Sequence, residues 1–294
     1  MKISLINRIW PAFALLFPLT ALSAGSVNET REMAVDGRVV VENMAGSIEF
    51  SVWEEAKIEI TGELGDDVQK VEITESAKGI HVRVHHQANV KRVDDTNLHL
   101  RIPVAASVEA ESVSADIEVD GGKGESIVAN TVSGDVEVGA SPQRLEIHSV
   151  SGDVEFEGKT ERSSLETVSG EITVSGVSGE VNVSTVSGDV SLTTLEVERG
   201  RFESVSGDMN LELSVGDGGR LSSESMSGDL VLRLPAKQQA SFTAQTFSGD
   251  IRSDFGEASR GSEGPGSILE YREGNNGTSI RLDSFSGDIQ IRRQ

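Results

Sequence analysis

The 294-residue chain contains no cysteine, so neither a disulfide framework nor a lipid-modified cysteine can hold or tether it. Aromatic residues make up only 4% of it, with one tyrosine and two tryptophans. A core of this composition has to be narrow and aliphatic, and few rings are left to stack on sugars. Bases are outnumbered by acids, 26 to 48, for a formal net charge of −22. That balance disfavours nucleic acid and anionic lipid as partners. Beyond the amino terminus no apolar run approaches the roughly 18–20 residues that a spanning helix needs.

The one sustained apolar run is Ile9 to Leu22, preceded by Lys2 and Arg8 and followed by the small residues Ser23 and Ala24. A positive start, a short apolar stretch and small residues at its end are the parts of a secretory signal peptide. Residues 1–24 are therefore expected to be removed on export to the periplasm or the medium. Loss of Lys2 and Arg8 would take the formal charge to about −24.

What the chain has in abundance is one short phrase. From Thr167 to Thr194 it reads T-VSGEITVSG-VSGEVNVST-VSGDVSLTT, three nine-residue units without a gap. Apolar and polar residues alternate after each acid (Ile172, Val174; Val181, Val183; Val190, Leu192), which is the signal of a strand with one buried face. Ser-Gly supplies a bend, because glycine reaches positive φ at little steric cost.

The signature glycines are Gly134, Gly152, Gly170, Gly188, Gly207, Gly228, Gly249 and Gly287, with Ala115 in the slot of an imperfect first copy. The steps are 19, 18, 18, 18, 19, 21, 21 and then 38, roughly two periods. Gly179 lies midway between Gly170 and Gly188, so each period is two halves. A fixed period of this length built from short strands predicts an all-β parallel β-solenoid of about 18–21 residues per rung. Equivalent side chains then stack at about 4.8 Å. The residues after each acid (Val136, Val154, Ile172, Val190, Met209, Leu230, Ile251) are expected inside, and these glycines at the turns.

Taken in order, residues 25–103 read as an irregular β cap with a first coil. Asp36-Gly37 is a hairpin-type turn signal, and Asn43 to Phe50 is a degenerate signature with Ser47 in the acid slot. VQKVEITES and GIHVRVHH read as strands joined at 77–79. Residues 104–294 read as the solenoid. Insertions at Val215–Arg220 and Pro235–Gln239 lengthen its later rungs, the Gly/Ser-rich stretch 253–267 reads as a mobile loop, and Asn276-Gly277 predicts a C-terminal hairpin.

The SGD rungs, the Gly37-to-Phe50 opening GRVVVENMAGSIEF and the lead-in LHLRIPV resemble the bacterial β-strand-repeat "putative adhesin" family, domain-of-unknown-function family number 4097. The likeness runs over residues 32–294. It implies an exported or envelope-associated β-solenoid and carries no functional residue with it.

Three constellations could bear chemistry. The acids after each glycine (Asp116, Asp135, Asp153, Glu171, Asp189, Asp208, Asp229, Asp250, Asp288) form a ladder. As a solvated turn ladder it costs ~0.9 kcal/mol of repulsion per step in water. As a calcium β-roll it falls short, with one acid per corner where calcium wants six to eight oxygens. His81, His85 and His86 cluster on one strand, but 81 and 85 are about 13 Å apart and 85 and 86 face opposite ways, so no metal site is expected.

No nucleophile elbow is present, and carboxylates are too common for a pair to be informative. The reading is a non-enzymatic scaffold without cofactor or metal. It would bind an envelope protein, a glycan or a second copy of itself. The alternatives are a calcium-binding β-roll and a carbohydrate-active enzyme with a groove framed by the two insertions.

Overall fold

The computed structural model describes residues 25–77, 79–88, 92–194, 196–260 and 266–294. The expected signal peptide lies outside them. Every regular element among the described residues is a strand, 23 in all.

The alternation seen in the sequence becomes parallel pairing at the predicted offset. Val136 pairs with Val154, Val154 with Ile172, Ile172 with Val190, Val190 with Met209, and Met209 with Leu230. Each of these side chains is at most 2% exposed. A second run of parallel pairs covers the other half of each period: Leu145 with Ser163, Ser163 with Val181, Val181 with Gly200, and Gly200 with Leu221. Long strands such as Val154–Thr167 and Ile172–Thr185 bend and serve both runs. Between the runs lies one continuous apolar core in which Phe50, Phe156, Phe202 and Phe242 are the largest buried side chains.

The amino-terminal strands cover one end of the stack. Arg38–Trp53 pairs in parallel with Ser107–Asp120, so Ser47 does sit opposite Asp116. On its other side lie Gly79–His86 and Thr96–Pro103. Outside these come the antiparallel strands Val68–Ser76, Lys57–Glu63 and Ser26–Glu32. Asp36-Gly37 does not close a hairpin, because Ser26–Glu32 pairs with Lys57–Glu63 instead.

The carboxyl terminus departs from the expected order. Ser279–Ser286 lies between Val215–Ser227 and Ala240–Ser248, and Ile289–Arg293 lies between Leu230–Leu234 and Ile251–Ser253. The last coil is thus inserted into the stack, and the step of 38 is not two rungs laid in sequence order. Asn276-Gly277 joins two strands that flank Ala240–Ser248 on opposite sides, so the expected C-terminal hairpin is not formed. In the inserted position Asp288 and its neighbours have register partners on both sides.

Candidate functional site: the signature corner and its apolar ridge

Each residue of the signature has a physical task at one corner of the coil. Three residues before the glycine stands a buried Ser or Thr, whose hydroxyl in the regular coils binds back to the corner. Thr131, Ser149, Thr167 and Thr185 accept from the N–H of Gly134, Gly152, Gly170 and Gly188 at 2.9–3.0 Å. The serine before the glycine donates to the preceding coil: Ser133, Ser151, Ser169 and Ser187 reach the carbonyls of Val113, Val132, Val150 and Val168 at 3.1–3.3 Å.

The glycines are set by closeness. A Cβ on Gly188 would lie 1.8 Å from the Gly170 carbonyl oxygen, and Gly152 and Gly170 would meet the carbonyl below at 1.9 Å. Gly188 is not among the glycines with positive φ, so its bend does not rest on left-handed backbone; Gly228 (φ 142°) and Gly179 (φ 65°) are the two signature glycines that have it.

The acids form a chain of charge-assisted hydrogen bonds. Asp135 accepts from the N–H of Asp153, Asp153 from Glu171, Asp189 from Asp208, Asp208 from Asp229, Asp229 from Asp288, and Asp288 from Asp250, all at 2.8–2.9 Å. The chain has a gap at Glu171, the one glutamate of the series, which accepts no hydrogen bond from the N–H of Asp189 among the described residues. Shortening it, Glu171→Asp, is expected to raise stability by about 0.5–1 kcal/mol. Asp189→Asn keeps the acceptor and should change the melting temperature little, while Asp189→Ala should cost about 1 kcal/mol. Melts in chelator and in calcium should coincide for all three variants. Among the described residues no group of three or more His, Asp or Glu side chains is placed to hold a metal ion.

The three histidines each turn to a different carboxylate. His81 meets Glu42 and His85 meets Glu72, each at 2.7 Å, and His86 meets Asp67 at 2.9 Å. The buried His86–Asp67 pair lies in the cap, where Asp67 also accepts from the N–H of Asp94. Burial pushes the Asp67 carboxyl up, but the hydrogen bonds from Asp94 and His86 outweigh it and hold the group below its ordinary 3.8. A depressed carboxyl stabilises the fold above its unfolded value and loses that contribution as pH falls through the folded one. The protection of amides in Gly79–His86 relative to their intrinsic exchange should therefore fall as pH drops below the ordinary carboxyl range, and Asp67→Asn should flatten that dependence.

The sequence reading left one residue of the signature unassigned: the Val, Met or Phe just before the serine. These side chains point outward at Met44, Val113, Val132, Val150, Val168, Val186, Val205, Met226, Phe285 and Phe247, each 41–57% exposed. Parity requires it. Val181, Val183 and Thr185 face inward on one strand, so Val186 must face out. Stacked coil on coil, the ten make a continuous apolar ridge. Ten of the eleven large apolar side chains exposed among the described residues lie on it, with Val35 the exception. Its end is aromatic: Phe285 and Phe247 stack with ring centres 5.1 Å apart and planes 8° from parallel.

The Toastrack profile, DUF4097, matches residues 38–292, from the first coil to the last strand. The chain belongs to the Toastrack family. Toastrack corners are thus what the signature builds here, and the expected family is the one found. No curated protein matches the chain. Among solved structures it is similar to a putative adhesin from Parabacteroides merdae, at 15% identity and TM-score 0.48, covering 91% of this chain and 96% of that one. A putative lipid binding protein from Parabacteroides distasonis matches at 12% identity and TM-score 0.47, with 91% and 97% covered. A putative adhesin from Bacteroides fragilis matches at 10% and 0.39, with 92% and 98% covered.

The insertions at 215–220 and 235–239 are pinned together, with Gln238 accepting from and donating to the backbone of Val215. Trp53 packs in the cap under Arg101 and Lys57, and Tyr271 packs near Phe242 at the other end of the stack.

Proposed function

We propose that this Toastrack protein is an exported β-solenoid scaffold that works without catalysis as an adhesin-like interaction module of the bacterial envelope, holding its partner along the apolar ridge. The ridge is the observation that carries this reading. Contiguous exposed apolar surface on a soluble domain is costly to keep and marks interaction sites. Most corner acids and the corner hydroxyls of Thr131, Ser149, Thr167 and Thr185 hold backbone, and the cap histidines are paired with carboxylates.

The test is capture from an envelope fraction on immobilised residues 25–294. Val132→Ser, Val150→Ser and Val168→Ser together should abolish specific capture, while three serines placed on the opposite run should not. Undiminished capture by the triple variant would refute the ridge as the binding surface. Export has its own test: protein recovered from cells should begin near Ala24 or Gly25, and a retained Met1 would overturn it.

A further inference from the structure

Near its carboxyl-terminal end the ridge forms one side of a groove of about 650 Å³. Val186, Val205, Met226, Phe285 and Phe247 follow one another along it, and Ile268 lines it too. The apolar side chains grow bulkier in that direction. Beside the ridge, two residues earlier on each strand, run Glu203, Glu224 and Asp283, all lining the groove. Arg201 and Arg281 engage Glu203 and Asp283, while Glu224 between them has no ion pair among the described residues. Beyond the serines on the ridge's other side stands the aspartate ladder. The groove is thus an apolar stripe bordered by a line of three carboxylates, with the aspartate ladder outside its lining. One buried oxygen of Asp283 and the buried hydroxyls of Ser225 and Ser284, which also line it, have no hydrogen-bond partner among the described residues.

Spacing selects the shape of an occupant. The ridge repeats at about 4.8 Å, and an α-helix lying along it offers one apolar side chain per 5.4 Å turn. Over the four steps from Val186 to Phe247 these drift apart by only ~2.4 Å. An extended peptide, with same-face side chains about 6.8 Å apart, would be out of step by ~8 Å. Charge selects the flanks. A second copy of this chain would bring carboxylates against carboxylates, whereas Lys or Arg beside an apolar stripe would meet Glu203, Glu224 and Asp283.

We infer that the groove binds a cationic amphipathic helix of about four turns, its apolar stripe on Met226, Phe285 and Phe247 and its basic residues on the flanking acids. The inference rests on the interaction role proposed above and names the partner's chemistry.

The probe is a labelled 18-residue Leu/Lys peptide with leucines on a single helical stripe, titrated with residues 25–294 and followed by anisotropy. It should bind at least about tenfold more tightly than the same peptide with Glu for Lys, and than a Leu/Lys peptide of equal composition with the stripe scrambled. Raising salt from 50 to 500 mM should weaken it by about tenfold. Phe247→Ser with Phe285→Ser should cost at least about tenfold, with retention of the fold checked by circular dichroism. Glu203→Gln with Glu224→Gln, which leaves the ridge intact, should weaken binding and flatten its salt dependence.

Equal binding of the Glu or scrambled peptide, or unchanged binding by both double variants, would overturn the inference. So would wild-type dimers that the two serines dissolve, since the ridge would then be a self-interface. If the peptide fails while ridge-dependent capture from the envelope persists, the helix is wrong and the interaction role stands. If both fail, both fall.

Discussion

Gly188→Val is expected to cost about 3–5 kcal/mol and to break the stack at its most regular point. The first added carbon would stand 1.8 Å from the Gly170 carbonyl oxygen and 2.7 Å from its carbon, so the obstruction is backbone. Backbone cannot turn aside as a flexible side chain can. Gly188 cannot retreat either, because its own carbonyl lies 2.2 Å from where a Cβ on Gly207 would be. A shift large enough to clear one contact strains the next coil. Gly218→Ala is the contrasting case. Gly218 has φ 73° with nothing near its Cβ, so the cost there is conformational alone, about 1 kcal/mol. Urea melts measure both. A Gly188→Val protein within about 1 kcal/mol of wild type would show that the coils are not packed as described.

Phe202→Ala should cost about 3–5 kcal/mol. The side chain is fully buried, and its register neighbours on either side are Val183 and Ser223. Ser223 is small and buried with its hydroxyl toward the Met209 sulfur, so the ring fills space that no adjacent side chain can reach across to close. Three residues along the same strand, Val205 stands outward on the ridge, and Val205→Ala should cost less than about 0.5 kcal/mol. A large cost at both positions, or at neither, would contradict the assignment of inside and outside.

The glycine spacing made much of this legible. Steps of 18 and 19 gave the pairing of Val136 with Val154 and of Val154 with Ile172 directly, because residues one period apart become neighbours in a stack. The order of the coils was not legible. Asp288 satisfies Asp229 and accepts from Asp250 as well as any sequential coil would, and a repeated signature carries no label for its place. The two V-S-G strings of one period also look alike and fold differently. Val177 is buried and Gly179 has positive φ, while Val186 is exposed and Gly188 does not. Sequence likeness between half-periods therefore did not mean likeness of corner.

The ridge itself could have been found by counting. Inward positions at 181, 183 and 185 leave 186 outside, and the polar residue inside at Thr185 is what disguises it. Thr185 spends its hydroxyl on the N–H of Gly188, so burial there is satisfied and an apolar residue can face water next to it. The acid ladder was readable as residues but not as a hydrogen-bond chain, since the acceptors sit one coil away from their donors.

The account turns on one continuous ridge crossing the coils in the order Met226, Phe285, Phe247. Because the chain has no cysteine, pairs of cysteines can be introduced there without background. Neighbouring coils place these Cα atoms about 4.8 Å apart, within disulfide range, whereas alternate coils leave about 9.6 Å, which is outside it. On mild oxidation Met226→Cys with Phe285→Cys, and Phe285→Cys with Phe247→Cys, should each close an intramolecular disulfide, while Met226→Cys with Phe247→Cys should stay reduced. A disulfide between 226 and 247, with 285 reacting with neither, would place the coils in simple sequence order and contradict the inserted last coil and the order of the ridge.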